Sequence, residues 1–115
     1  MKETQARSAR IPERLTSLDP ATGEAVGEHP VMGLEEVREA VTGARESASW
    51  WAGLGFAGRK KRLMAWKGEL ALGIDELAAL IRREMGKPLD DARLEVVAGI
   101  DNVGWVASNA GRVLR

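Results

Sequence analysis

Few residues in this sequence can do chemistry, and their types narrow it quickly. Cysteine is absent, which removes thiol nucleophiles, disulfides and thiolate metal ligands together. His29 is the single histidine. With no acid paired to it in the sequence, it reads as a surface imidazole and not a general base. Asp90, Asp91 and Glu95 form a dense acidic group. Asp91 and Glu95 stand four residues apart and share a helix face, as an acid/base pair or a metal site requires. A solvated face is the simpler account, because carboxylates without a partner stay in water.

The stretch Gly58-Arg59-Lys60-Lys61-Arg62 is basic enough to suggest a nucleic-acid patch. Four consecutive helical residues, however, fan around the axis instead of forming a stripe. Seventeen Lys and Arg balance seventeen Asp and Glu, so no overall field draws the chain to nucleic acid or an anionic membrane. A solvated helix start fits better. The run from Leu70 to Ala78 has the outline of a helix-turn-helix, with Gly73 at the turn. Its second helix would meet bases with Asp75 and Glu76, which repel phosphate. Trp51, Trp66 and Trp105 fall on apolar helical faces and read as core side chains.

The elements that position these residues follow from turn chemistry and periodicity. Residues 1–14 are polar and read as a flexible lead-in, with no secretory signal. Leu15 to Leu18 and Ala25 to Pro30 flank Asp19-Pro20-Ala21-Thr22-Gly23-Glu24. Pro20 presets its φ and Gly23 accepts a positive one, so the segment predicts a β-hairpin. Pro30 lacks an N–H and belongs at an edge. From Leu34 the spacing of Val37, Ala40, Val41, Ala44, Ala48 and Trp51 marks a first helix, broken by Gly53, Gly55 and Gly58. A second helix covers roughly 58–72. Asp75 is the expected N-cap of a third, which carries Leu77, Leu80, Ile81 and Met85 and stops at Gly86 and Pro88. The fourth runs from Leu89 to Leu114 on a regular three-and-four spacing. The fold class is therefore α+β, mostly α: a hairpin followed by about four helices. No run approaches the ~20 apolar residues of a membrane span.

Two stretches in this order resemble the opening of aldehyde dehydrogenases. The first is Leu18-Asp19-Pro20-Ala21-Thr22-Gly23-Glu24 with Leu34-Glu35-Glu36-Val37 behind it. Asp19 stands where the family usually has asparagine. The second is Asp75-Glu76-Leu77-Ala78-Ala79-Leu80-Ile81, then Glu84-Met85-Gly86-Lys87-Pro88-Leu89, then Ala92 and Glu95-Val96. Between them, Trp51 and the stretch from Arg59 to Leu63 match the family's spacing of tryptophan, arginine and leucine. The likeness covers roughly residues 15–106. It implies that residues 15–115 are the incomplete N-terminal segment of a cofactor-binding domain in the α/β aldehyde dehydrogenase fold. The parent would oxidise an aldehyde to a carboxylic acid with NAD or NADP.

In that family the cysteine nucleophile, the general-base glutamate and the dinucleotide-binding strands lie downstream. The resemblance thus assigns no catalytic and no cofactor-binding residue here, and the chain alone is expected to be inactive. It does imply one site. Many members hold a monovalent cation between a backbone carbonyl before the turn and the acidic residue two before the Gly-Lys-Pro. Those positions are Leu18, with Ser17 beside it, and Glu84. A hard cation takes oxygen ligands, which both provide; otherwise Glu84 is a solvated carboxylate at a helix end. The expected partners are the remainder of such a chain and, in the parent, further copies in a homo-oligomer, without nucleic acid or membrane. The expected location is cytoplasmic. The alternative functions are a stand-alone helical interaction module and a helix-turn-helix DNA-binding domain. Helix faces that need cover predict that the isolated chain is loosely packed and self-associating.

Overall fold

The computed structural model describes residues 13–114. Most of the expected lead-in lies outside the described residues, but its end is ordered into the first strand. Strand β1 (Arg14–Leu18) pairs antiparallel with β2 (Ala25–Pro30). Leu15 faces His29 and Ser17 faces Gly27, and the register shifts between Ser17 and Leu18. Pro30 cannot donate, so the next ladder bond comes from Val31 N–H to the Glu13 carbonyl at 2.7 Å. That bond, and a 3.0 Å ion pair from Arg14 Nε to Glu28, explain why Arg14 is strand.

Four helices follow: α1 (Leu34–Gly53), α2 (Gly55–Leu72), α3 (Ile74–Met85) and α4 (Leu89–Val113). At the start of α1 the Glu36 carboxylate accepts the Gly33 N–H at 2.6 Å, satisfying a donor that the helix leaves free. Only Leu54 separates α1 from α2. The turn is made by Gly55 at φ +62°, a left-handed value that costs glycine little. Gly58, expected as a break, lies inside α2. Its missing Cβ makes room for Leu54, whose own Cβ stands 3.0 Å from where a side chain would begin.

Gly73 alone links α2 to α3. It also takes the N-cap position, with no side-chain bond, so the expectation for Asp75 is corrected. Asp75 sits in the first turn, where the positive helix end suits a carboxylate, and reaches across to α4, accepting Arg93 Nε at 2.9 Å. Arg93 also donates to Asp90 at 3.1 Å. The hydrogen bonds to Asp75 and Asp90, with their charge, hold the Arg93 guanidinium above its ordinary pKa. Gly86, at φ +69°, ends α3, and Pro88 stands at the N-cap of α4.

Helix α4 packs against both α2 and α3, while α1 meets the rest mainly at its joint with α2. The side chains buried there are Ala78, Ala92, Ile100 and Ala107. Three of them are alanines, so the helices approach closely but shield little apolar surface. Trp51 is half-buried, but the other two tryptophans are not the core that their periodicity suggested. Trp66 is 52% exposed and Trp105 is 60% exposed, because no second layer covers these faces among the described residues. Stable domains stack at least two layers around an apolar centre. Here the helices make one. No described helix is long and apolar enough to cross a membrane.

Candidate functional site

The candidate cation ligands fall at the corner where the hairpin meets the end of α3. Asp19 shapes the turn: its Oδ1 accepts the N–H groups of Ala21 at 2.8 Å and Thr22 at 3.3 Å. Its backbone closes the loop by donating to the Glu24 carbonyl and accepting from Gly23 N–H. This is the side-chain-to-backbone bonding that makes Asp and Asn interchangeable in turns. The turn then lies on α3. A Cβ on Gly86 would come within 2.8 Å of Pro20 Cγ, so glycine there serves both the left-handed helix end and the seat for Pro20.

This docking brings β1 against α3. Leu18 closes β1 beside the register shift, and Glu84 lies two residues before Gly86. The Glu84 side chain is exposed and forms no hydrogen bond or ion pair among the described residues. The adjoining cleft, about 400 Å³, is lined by Asp19, Thr22, Arg82, Arg83 and Lys87, among others. Its positive side chains weigh against a cation within the cleft itself. No group of three His, Cys, Asp or Glu occurs together among the described residues. One carbonyl and one carboxylate are oxygen donors of the right kind for a hard cation, but fewer than such ions take.

The other candidates are absorbed by structure. Glu95 is bonded to Lys87 and Asp90 to Arg93, while Asp91 is exposed, so the acidic group makes no acid/base pair. His29 is exposed on β2. The basic run does fan around α2, but two of its members also lie over aromatic rings. Arg59 stacks on the Phe56 ring, 4.6 Å from its centroid, and Arg62 on Trp50 at 4.7 Å. A flat guanidinium over an aromatic face is a favourable pairing. Arg62 thereby ties α1 to α2. Sequence periodicity carries no signal for this contact between helices.

Residues 7–115 match the family model for the aldehyde dehydrogenase family. The chain belongs to that family. It is 43% identical over 94 residues to a non-phosphorylating aspartate-semialdehyde dehydrogenase of Halomonas elongata, covering 82% of this chain and 19% of that protein. It is 35% identical over 95 residues to a glutarate-semialdehyde dehydrogenase of Pseudomonas putida, covering 83% and 20%. A mitochondrial succinate-semialdehyde dehydrogenase of Arabidopsis thaliana is 36% identical over 95 residues, covering 83% and 18%. The chain thus spans about a fifth of the length of these aldehyde dehydrogenases and corresponds to their N-terminal part. The hairpin, the Pro20 seat on Gly86 and the α3–α4 corner are this segment's structure.

Proposed function

We propose that the chain is the scaffold-forming N-terminal part of an NAD- or NADP-dependent enzyme that oxidises an aldehyde to a carboxylic acid. Its own 115 residues contribute structure to that enzyme and no reacting group. The observation that carries this reading is the family match over residues 7–115 against only about a fifth of each relative. The chemistry agrees: these residues contain no cysteine, so they cannot form the thiohemiacetal with which a thiolate would begin aldehyde oxidation. The similar proteins are named for aldehydes that carry a carboxylate, and we extend that substrate class to the whole enzyme. Cytoplasmic location and a homo-oligomeric whole enzyme belong to the same reading.

The Leu18 carbonyl and the Glu84 carboxylate are the part of a monovalent-cation site that this segment supplies, with the remaining oxygens coming from water or from chain beyond it. The hairpin's contact with α3 supports that role by bringing their two elements together.

The test is a hybrid in which this chain replaces the matching first fifth of the Halomonas enzyme. The hybrid is expected to reduce NAD+ or NADP+ with a semialdehyde, and the 115-residue chain alone to show none above buffer. A folded, oligomeric hybrid without activity overturns the scaffold reading. Turnover by the chain alone overturns the assignment of no reacting group.

A further inference from the structure

We infer that the cleft between the hairpin turn and the end of α3 is a binding site for a small doubly charged oxyanion, a dicarboxylate or a phosphate. The site goes beyond the scaffold role and does not depend on it. The cleft, about 400 Å³, lies within the roughly 300–1,000 Å³ of small-molecule sites. One wall is the turn, with Asp19 and Thr22. The other is the end of α3 and its exit, with Arg82, Arg83 and Lys87. Gly86 holds the two walls together, because its missing Cβ seats Pro20. The charges differ in how far they are already matched. Lys87 is bonded to Glu95. Asp19 Oδ1 accepts two N–H groups of the turn. Arg82 and Arg83 have no carboxylate or ring partner among the described residues. By contrast, Arg14, Arg38 and Arg93 have carboxylate partners, and Arg59 and Arg62 aromatic ones.

These groups suit an anion. Each guanidinium offers five N–H donors in a planar fork that matches a carboxylate or a phosphate. On the turn wall, Thr22 Oγ accepts the Glu24 N–H at 3.2 Å, which leaves its own O–H proton to donate. With Lys87 paired to Glu95, two cations and one carboxylate remain in the cleft, so the surplus charge is positive. The negative end of the α3 dipole accounts for basic residues at a helix end. It does not account for two of them in one concave wall opposite a hydroxyl donor. Arg82 and Arg83 are adjacent on the helix, about 100° apart around its axis, so they reach a ligand from different sides. A ligand with two anionic ends, or with several charged oxygens, uses both. Such a ligand bridges the turn and α3 and tightens the corner that carries Leu18 and Glu84.

The experiment titrates sodium succinate and, separately, inorganic phosphate into the 115-residue chain by calorimetry, with sodium chloride holding the ionic strength constant. Succinate stands for the dicarboxylates, which are what oxidation of a carboxylate-bearing aldehyde yields. The expected result is one saturable site per chain for at least one of the two. Its dissociation constant should be on the order of 1 mM, as two charge-assisted hydrogen bonds allow. Arg82→Gln and Arg83→Gln are each expected to weaken binding at least about tenfold. Both positions are exposed, so circular dichroism should show unchanged helix content. Thr22→Val is expected to weaken binding about threefold. Arg45→Gln removes the same charge from an exposed position on α1 and is expected to leave binding unchanged. Saturation by succinate or by phosphate supports the site and identifies its source. No saturable binding by either overturns it. Weakening by Arg45→Gln equal to that by Arg82→Gln overturns the cleft as the location, because only the general field would then act. Binding untouched by Thr22→Val overturns the two-walled site. Activity of the hybrid enzyme enters none of these readouts, so the anion site and the scaffold role fail separately.

Discussion

Helices α1 and α4 have similar apolar spacing in sequence but different environments in the fold. Helix α1 has no buried residue, whereas α4 holds three of the four buried side chains, at Ala92, Ile100 and Ala107. Periodicity states that a face needs cover; it does not state what covers it. Helix α4 is flanked by two neighbours close in sequence, while the face of α1 with Val37 and Val41, each 44% exposed, meets nothing comparable. The contrast predicts that equivalent substitutions in the two helices give unequal effects.

The largest gap should come from adding bulk at alanine. Ala92 is completely buried, so Ala92→Leu forces its neighbours apart and should cost about 1–3 kcal/mol. Ala44→Leu in α1, at an exposed position, should stay within about 0.5 kcal/mol. Urea titrations followed by circular dichroism compare them, and equal losses would mean that α1 is packed in solution.

Glycine gives smaller single effects, of opposite signs. Gly86→Ala meets both the positive φ and Pro20, and should lower stability by about 1–2 kcal/mol. Gly43→Ala has open space in mid-helix and should raise helix stability by up to about 1 kcal/mol. Thermal melts read both signs, and a neutral Gly86→Ala would show that the hairpin does not rest on α3.

The smallest difference concerns ion pairs. Arg93→Ala removes bonds to two helices' carboxylates, yet its side chain is 43% exposed, so only a small loss is expected. Arg38→Ala breaks only a local pair with Glu35 and should cost no more than about 0.5 kcal/mol. A double-mutant cycle of Arg93 and Asp75 measures the pairing that joins α3 to α4. Zero coupling would reduce Arg93 to a solvated charge.

The local features of the fold were legible because single residues encode them. Asp19, Pro20 and Gly23 specify the hairpin turn, and Gly86 with Pro88 specifies the break between α3 and α4. Features that depend on distant residues were not. Asp75 looks like a cap until Arg93, eighteen residues away, claims its carboxylate. Gly58 misleads for a local reason, since Gly55, three residues earlier, makes the turn and Leu54 fills the space beside Gly58. Trp66 and Trp105 look like core because hydrophobicity records a demand for burial, and these helices do not meet it. The candidate site followed the same division. Leu18 and Glu84 came from a family likeness, and the contact between their elements, β1 and α3, accompanies the seat of Pro20 on Gly86, which neither residue's own neighbourhood announces.

The one-layer packing also has a consequence in time. During synthesis of a chain as long as the relatives, this segment leaves the ribosome first and can form its short-range helix contacts at once. The other four-fifths, at about 5–20 residues per second, takes tens of seconds more. Throughout that interval the apolar side chains along α4, Val96, Val103 and Val106 among them, have no second layer over them. Exposed apolar surface of this kind is what makes partly built chains prone to aggregate.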